Sequence, residues 1–198
     1  MVLGGLRQRL KTIFTVAETS EVARRYFSLQ LFDGAMVGIG VVFGLHFSGP
    51  HGFGVISQTL VAVIIAMVIS GWTGALISER AEQEARIKRL ELATLITLRD
   101  TIQGKVGSIA ALLVALVNGL TPVAAFLTVS LPYLATVYLG EETMYGLIIS
   151  LIFTAGLLLA AGAVVGRSAR IGVIKTSAQM IGSGLAAAGL IILLESFF

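Results

Sequence analysis

The sequence predicts an all-α polytopic membrane protein with five transmembrane helices, the N-terminus cytosolic and the C-terminus outside or lumenal. Three observations carry that expectation. Of the 198 residues 56% are hydrophobic and only 13% charged, with a mean hydropathy of +0.94, whereas a soluble domain carries about a quarter charged residues. A chain of this size would lack the polar surface to stay dissolved. The charges also leave five stretches long enough to cross a bilayer, which takes roughly 20 apolar residues at about 1.5 Å each. With five spans, all 14 basic residues fall on one side, the partition that cytosolic segments show.

The N-terminal arm, residues 1–25, mixes Arg7, Arg9, Lys11, Arg24 and Arg25 with Leu10, Ile13, Phe14, Val16 and Val22. It reads as an amphipathic helix lying in the cytosolic interface and feeding the first span, without the continuous apolar core of a cleaved signal. Residues 26–198 form the five-helix transmembrane domain. Span 1, 26–47, is interrupted only by Asp33. Span 2, 53–78, is free of charge and runs into SERAEQEARIKRLE, a cytosolic helical extension to residue 99 with Glu82 and Arg86, and Glu84 and Lys88, four apart. The uncharged run after Lys105 is too long for one upright helix and too short for two. It predicts a single span, 106–138, broken or kinked near Pro122, with Pro132 at or beyond its outer end. Spans 4 and 5 are 143–166 and 173–195. Basic residues then occupy the arm, the loop from Arg80 to Lys105, and the loop with Arg167, Arg170 and Lys175; SGPHG, Glu141, Glu142 and Glu195 lie opposite.

Composition excludes several functions. With no cysteine there is no disulfide, thiolate metal site, iron–sulfur cluster or thiol nucleophile. A net charge of +3, scattered along the chain, does not point to nucleic acid. No nucleophile with a base, phosphate loop or histidine cluster is visible, so the protein is not expected to be an enzyme. His46 and His51 flank the outer SGP turn and read as loop residues rather than ligands.

Asp33 is the one ionisable residue well inside a span, about 9 Å along the helix from Phe27, in the cytosolic half. An intramembrane carboxylate costs roughly 2.5–3.5 kcal/mol on insertion scales, which favours a functional role over a structural one. Met36, Val37, Gly40 and Gly44 share its face at helical spacing, so a carboxylate and a thioether lie on one stripe. Span 2 has a comparable stripe of Met67, Ser70, Gly71, Gly74 and Ser78. Gly34 with Gly38, Gly40 with Gly44, and Gly162 with Gly166 are small-xxx-small pairs that permit close helix approach. In span 3, Asn118, Thr121 and Pro122 offer either interhelical bonds or, through the carbonyl that a proline frees, the lining of a polar cavity.

LFDGAMVGIGVVFG, SGWTGALISERAEQE, ALLVALVNGLTPVAAFLTVSLPYL and KTSAQMIGSGLAAAGLIILLESFF, in this order over five spans, resemble the vacuolar iron transporter family. The resemblance covers nearly all of the chain from Tyr26 onward and rests on order and spacing. It implies a five-helix fold working as a homodimer, with Asp33 of the Asp33–Gly34 pair lining a pathway at the dimer interface. It also implies export of ferrous iron or manganese from the cytosol, driven by proton exchange. Two departures stand out. Gly71 and Ala75 occupy the positions where the family commonly has its second-span Met and Glu; Met67 lies one turn before the first and Glu79 one turn after the second. The glutamate-rich metal-binding domain of many members is also missing, as in shorter members.

The expected function is therefore proton-coupled export of Fe2+ or Mn2+, as substrate, with H+ as coupling ion and no permanently bound cofactor. Asp33, Gly34, Met36, Met67, Ser70 and Asn118 would form the pathway. Asp33, Met36 and Met67 would act as metal ligands, and Glu79 with Glu82 as an acidic cytosolic entrance. Expected partners are a second copy of the chain and membrane lipid, but no nucleic acid. The location would be the cell membrane of a prokaryote or the vacuolar membrane of a eukaryote. The alternatives are a transporter of another cation or small solute on the same scaffold, and a nontransporting membrane scaffold in which Asp33 is an interhelical tether.

Overall fold

Inside hydrocarbon every backbone N–H and C=O must find its partner within the chain, which leaves helices as the open-ended solution. The computed structural model describes residues 19–49, 52–94, 102–195 and 197. Five helices follow one another: α1 (Thr19–Phe47), α2 (Phe53–Thr94), α3 (Ile102–Leu139), α4 (Thr143–Ser168) and α5 (Val173–Glu195). Each contains a segment long and apolar enough to cross a membrane. No strand occurs among the described residues. The protein is thus an all-α polytopic membrane protein.

The differences from expectation lie at the element ends. Most of the interfacial helix expected over 1–25 falls outside the described residues, and from Thr19 onward the chain already belongs to the helix of span 1. The extension of α2 is described as far as Thr94; residues 95–99 lie outside. Pro132 does not end span 3. α3 runs unbroken through both Pro122 and Pro132 to Leu139, about two turns further. Membrane helices tolerate proline where hydroxyl side chains and neighbouring helices supply bonds to the backbone. In α3 the carbonyls that Pro122 and Pro132 free are those of Asn118 and Thr128, whereas the hydroxyls of Thr128, Ser130 and Thr136 donate to other carbonyls of the same helix, those of Ala124, Phe126 and Tyr133, at 2.8 Å each.

By packing the chain divides into two units, Phe27–Val68 with Leu120–Phe198, and Met1–Tyr26 with Ile69–Gly119. In the larger, Ala35, Ile39 and Val42 of α1 join Ile56 and Leu60 of α2, Phe126, Val129 and Tyr133 of α3, and Leu147 and Leu158 of α4 in one buried cluster. Gly34 and Gly38 bring α1 onto α3: a Cβ on Gly34 would run into the Pro122 carbonyl, and one on Gly38 would lie 2.9 Å from the Val129 Cβ.

α4 carries a buried ridge of Gly146, Ser150, Thr154, Leu158, Gly162 and Gly166, one residue in every four. A helix has 3.6 residues per turn, so each step of four drifts by about 40° and five steps by roughly 200°. One ridge therefore serves two neighbours. Gly146 meets Tyr133 and Thr136 of α3, whereas Gly162 and Gly166 meet Val173, Thr176 and Ser177 of α5. There the Thr176 hydroxyl donates to the Gly162 carbonyl at 2.8 Å and the Ser177 hydroxyl to the Leu159 carbonyl at 3.2 Å.

The two ends of this hairpin system close alike but with different residues. After α3, Gly140 takes φ +72° and the Glu141 N–H bonds the Thr136 carbonyl at 2.9 Å. After α4, Arg170 takes φ +55° and the Ile171 N–H bonds the Gly166 carbonyl at 3.0 Å. Both are left-handed helix stops that satisfy an orphan carbonyl, but only the first uses the residue that adopts the conformation without cost.

In the smaller unit, Ala75 of α2 and Ala111, Val114, Ala115 and Gly119 of α3 are buried. Small residues let these two helices approach at backbone distance.

Candidate functional site

The site is built upward from Asp33, near the beginning of the membrane-spanning part of α1. Asp33 is exposed, and among the described residues no hydrogen bond or ion pair holds it. Seven and eleven residues further on, Gly40 and Gly44 fall within about 20° of the same line along the helix. A Cβ on either would find no atom within 4 Å. Gly34 and Gly38, the closed pair, lie about 100–140° round the helix. The two glycine pairs that look identical in the sequence thus have opposite fates: one is filled by α3, the other faces outward beside a carboxylate.

Gly34, expected in the pathway, is buried against Pro122. Met36 sits about 60° from Asp33 round the helix, half-buried against the core, and a Cβ on Gly184 of α5 would lie 4.0 Å from its sulfur. The expected common stripe of carboxylate and thioether is therefore split, with the sulfur packed toward α5. Met67 is likewise half-buried against the core of the larger unit.

The remaining candidates belong to the smaller unit. Asn118 donates from Nδ2 to the Gly71 carbonyl at 2.8 Å, so its side chain is engaged as a tie between α2 and α3. A Cβ on Gly71 would lie 2.8 Å from the Asn118 carbonyl oxygen and 3.1 Å from the Gly119 Cα. That carbonyl is the one Pro122, lacking an N–H, leaves without its helical donor. Glycine at 71 is thus required by a backbone crossing, a physical reason for the absence of a larger residue there. Ser70 is exposed. Glu79 is buried and engaged with a neighbour, whereas Glu82 is exposed. The two carboxylates expected to act together have different surroundings. Among the described residues no three His, Cys, Asp or Glu side chains assemble into a group able to hold a metal ion.

His46 is placed differently from the sequence expectation. It belongs to the last turn of α1 rather than to a loop, is half-buried, and packs edge-on against Phe47 and Tyr133, with ring centroids 5.4 and 6.0 Å away. The signal was present: Ala35, Ile39, Val42 and His46 follow the spacing i, i+4, i+7, i+11 of a single buried face. His51 lies outside the described residues.

These features define the class, an integral multi-pass membrane protein in which, among the described residues, the Asp33 carboxylate is exposed within a span. Comparison with protein-family models, with characterised proteins and with solved structures finds no match to the chain. Function is therefore argued from the Asp33 face itself.

Proposed function

We propose that the protein is a homodimeric, proton-coupled exporter of a divalent transition metal, Fe2+ or Mn2+, in which Asp33 exchanges metal for proton. The observation that carries this reading is the exposed Asp33 in line with open Gly40 and Gly44. A carboxylate turned to lipid is costly, and glycines with no neighbour leave a groove in which a second helix can lie at close range. A second copy of α1 would cover both. It would also bring two Asp33 carboxylates together, a donor set that the described part of one chain does not assemble. Metal and proton compete for a carboxylate, and alternation between them is what antiport requires.

Asp33→Asn keeps the volume and hydrogen-bonding capacity but removes the charge. In proteoliposomes loaded with a metal-sensitive dye and a pH indicator, it is expected to abolish metal-driven proton movement at normal protein abundance. Gly40→Cys should give a crosslinked dimer in membranes. Normal transport by Asp33→Asn would make the carboxylate structural, and loss of folding or of the dimer would make it a tether.

A second reading keeps the scaffold and changes the cargo to a harder cation. It is favoured by the Met36 sulfur, which packs toward Gly184 and not along the Asp33 line. Soft thioether donors select transition metals over Mg2+, so the relative dye response to Fe2+, Mn2+ and Mg2+ separates the two.

A further inference from the structure

We propose that His46 is a proton-binding latch at the end of α1 that lies away from the basic loops. Neutral, its ring ties α1 to α3; protonated, it lets go. The inference does not depend on what the protein transports.

The argument begins with an orphan atom. His46 Nδ1 is fully buried and has no hydrogen-bond partner among the described residues. A neutral imidazole carries one N–H and one lone pair, so a bare lone pair can sit among ring edges at modest cost. Protonation changes that balance. It places an N–H and a full charge where the surroundings are the rings of Phe47 and Tyr133, with no acceptor for the new donor. A buried donor left without an acceptor is costly, and a buried unpaired charge more so.

The groups around it offer no compensation in place. α3 presents Tyr133, whose hydroxyl is bonded with the Thr143 side chain. The stretches 34–45, 53–68, 120–139, 143–166 and 176–194 contain no charged residue; their remaining titratable groups, Tyr138 and Tyr145, are exposed. Glu141 and Glu142, in the turn after α3, are exposed too, and Glu195 ends α5. Among the described residues, acceptors for an imidazolium lie outside its present position. They are the last-turn carbonyls of α1, where the helix dipole favours a cation, and the exposed carboxylates of the α3–α4 turn. The ligand is the proton of the compartment that this end of the helix faces.

The chain has two histidines, so His51→Gln leaves His46 as the sole imidazole for 15N NMR in nanodiscs. While the ring is neutral, Nδ1 should be unprotonated, with a nuclear Overhauser contact to Tyr133. As the pH is lowered, conversion to an imidazolium should coincide with loss of that contact. A ring that stays neutral throughout the titration, or one that protonates with the Tyr133 contact intact, overturns the proposal. His46→Phe preserves an aromatic ring without the lone pair. The Gly49 amide resonance should then stop responding to pH over the same titration, and an unchanged response would place the sensor elsewhere.

Discussion

The α4–α5 hairpin and the outward face of α1 use the same sequence device and end differently. In the hairpin, Gly162 and Gly166 are filled by the backbone and hydroxyls of α5, and Thr176 and Ser177 reach across to α4 carbonyls. On α1, Gly40 and Gly44 are spaced identically and meet nothing. In a membrane the hydrophobic effect does not press helices together, so small residues act by letting packing and hydrogen bonds form at close range. A small-xxx-small pair therefore states that a neighbour is wanted, without stating whether the same chain supplies it. On α1 the added carboxylate makes an uncovered face expensive.

Substitutions that spare one region and ruin the other sharpen this contrast. The largest effect is expected from Gly162→Leu, because even its Cβ would collide with the Ser177 backbone. Overpacking costs about 1–3 kcal/mol or more, and at a Cβ contact this short the cost should lie at the upper end, giving the largest drop in the midpoint of thermal unfolding in detergent. Gly44→Leu, with open space around it, should leave abundance normal and break the proposed dimer. If Gly44→Leu destabilised the fold as much as Gly162→Leu, the distinction between closed and open glycines would fail.

Gly71→Met tests the crossing in the smaller unit. Since its Cβ would press on the Asn118 carbonyl, it should destabilise by about 1–3 kcal/mol, visible as a lower midpoint of thermal unfolding in detergent. Thr176→Val keeps the shape and removes the hydroxyl bond to Gly162; interhelical bonds of this kind are worth about 0.6–2 kcal/mol in membranes, so a smaller drop is expected. The smallest change should be a gain. Arg170→Gly relieves a left-handed backbone at φ +55° and should stabilise by about 1 kcal/mol, raising the midpoint by a few degrees.

The number, order and approximate limits of the spans were legible because they depend on quantities that run along the chain: length between charges and summed hydropathy. What depends on rotation about a helix was harder to read. Asp33 and Met36 were assigned one stripe, but three residues turn a helix by 300°, and the resulting 60° is enough to send the sulfur toward α5. Pro132 looked like a terminator because proline removes one helical donor, but in a membrane the loss of a single bond does not by itself end a helix, and α3 continues to Leu139. His46 was hidden by the turn-forming residues Ser48, Gly49 and Pro50 that follow it in the sequence. Turn residues announce a helix end to within a few positions, and within that margin a last-turn residue and a loop residue look alike. For Asn118 both alternatives were in view, and a hydrogen bond to Gly71 favours the tie.

The ridge of α4 has a consequence for how this protein can vary. Because the ridge drifts round the helix, it works as a screw thread whose two ends engage different nuts, α3 at Gly146 and α5 at Gly166. Changing a side chain alters the thread locally. Adding or removing one residue between those ends would turn everything beyond it by about 100°, carrying Gly162 and Gly166 away from Thr176 and Ser177 while Gly146 stayed engaged. α4 should therefore accept many substitutions on its lipid side and no change of length. Insertions belong in the turns at 140–142 and 169–172, where the thread is not cut.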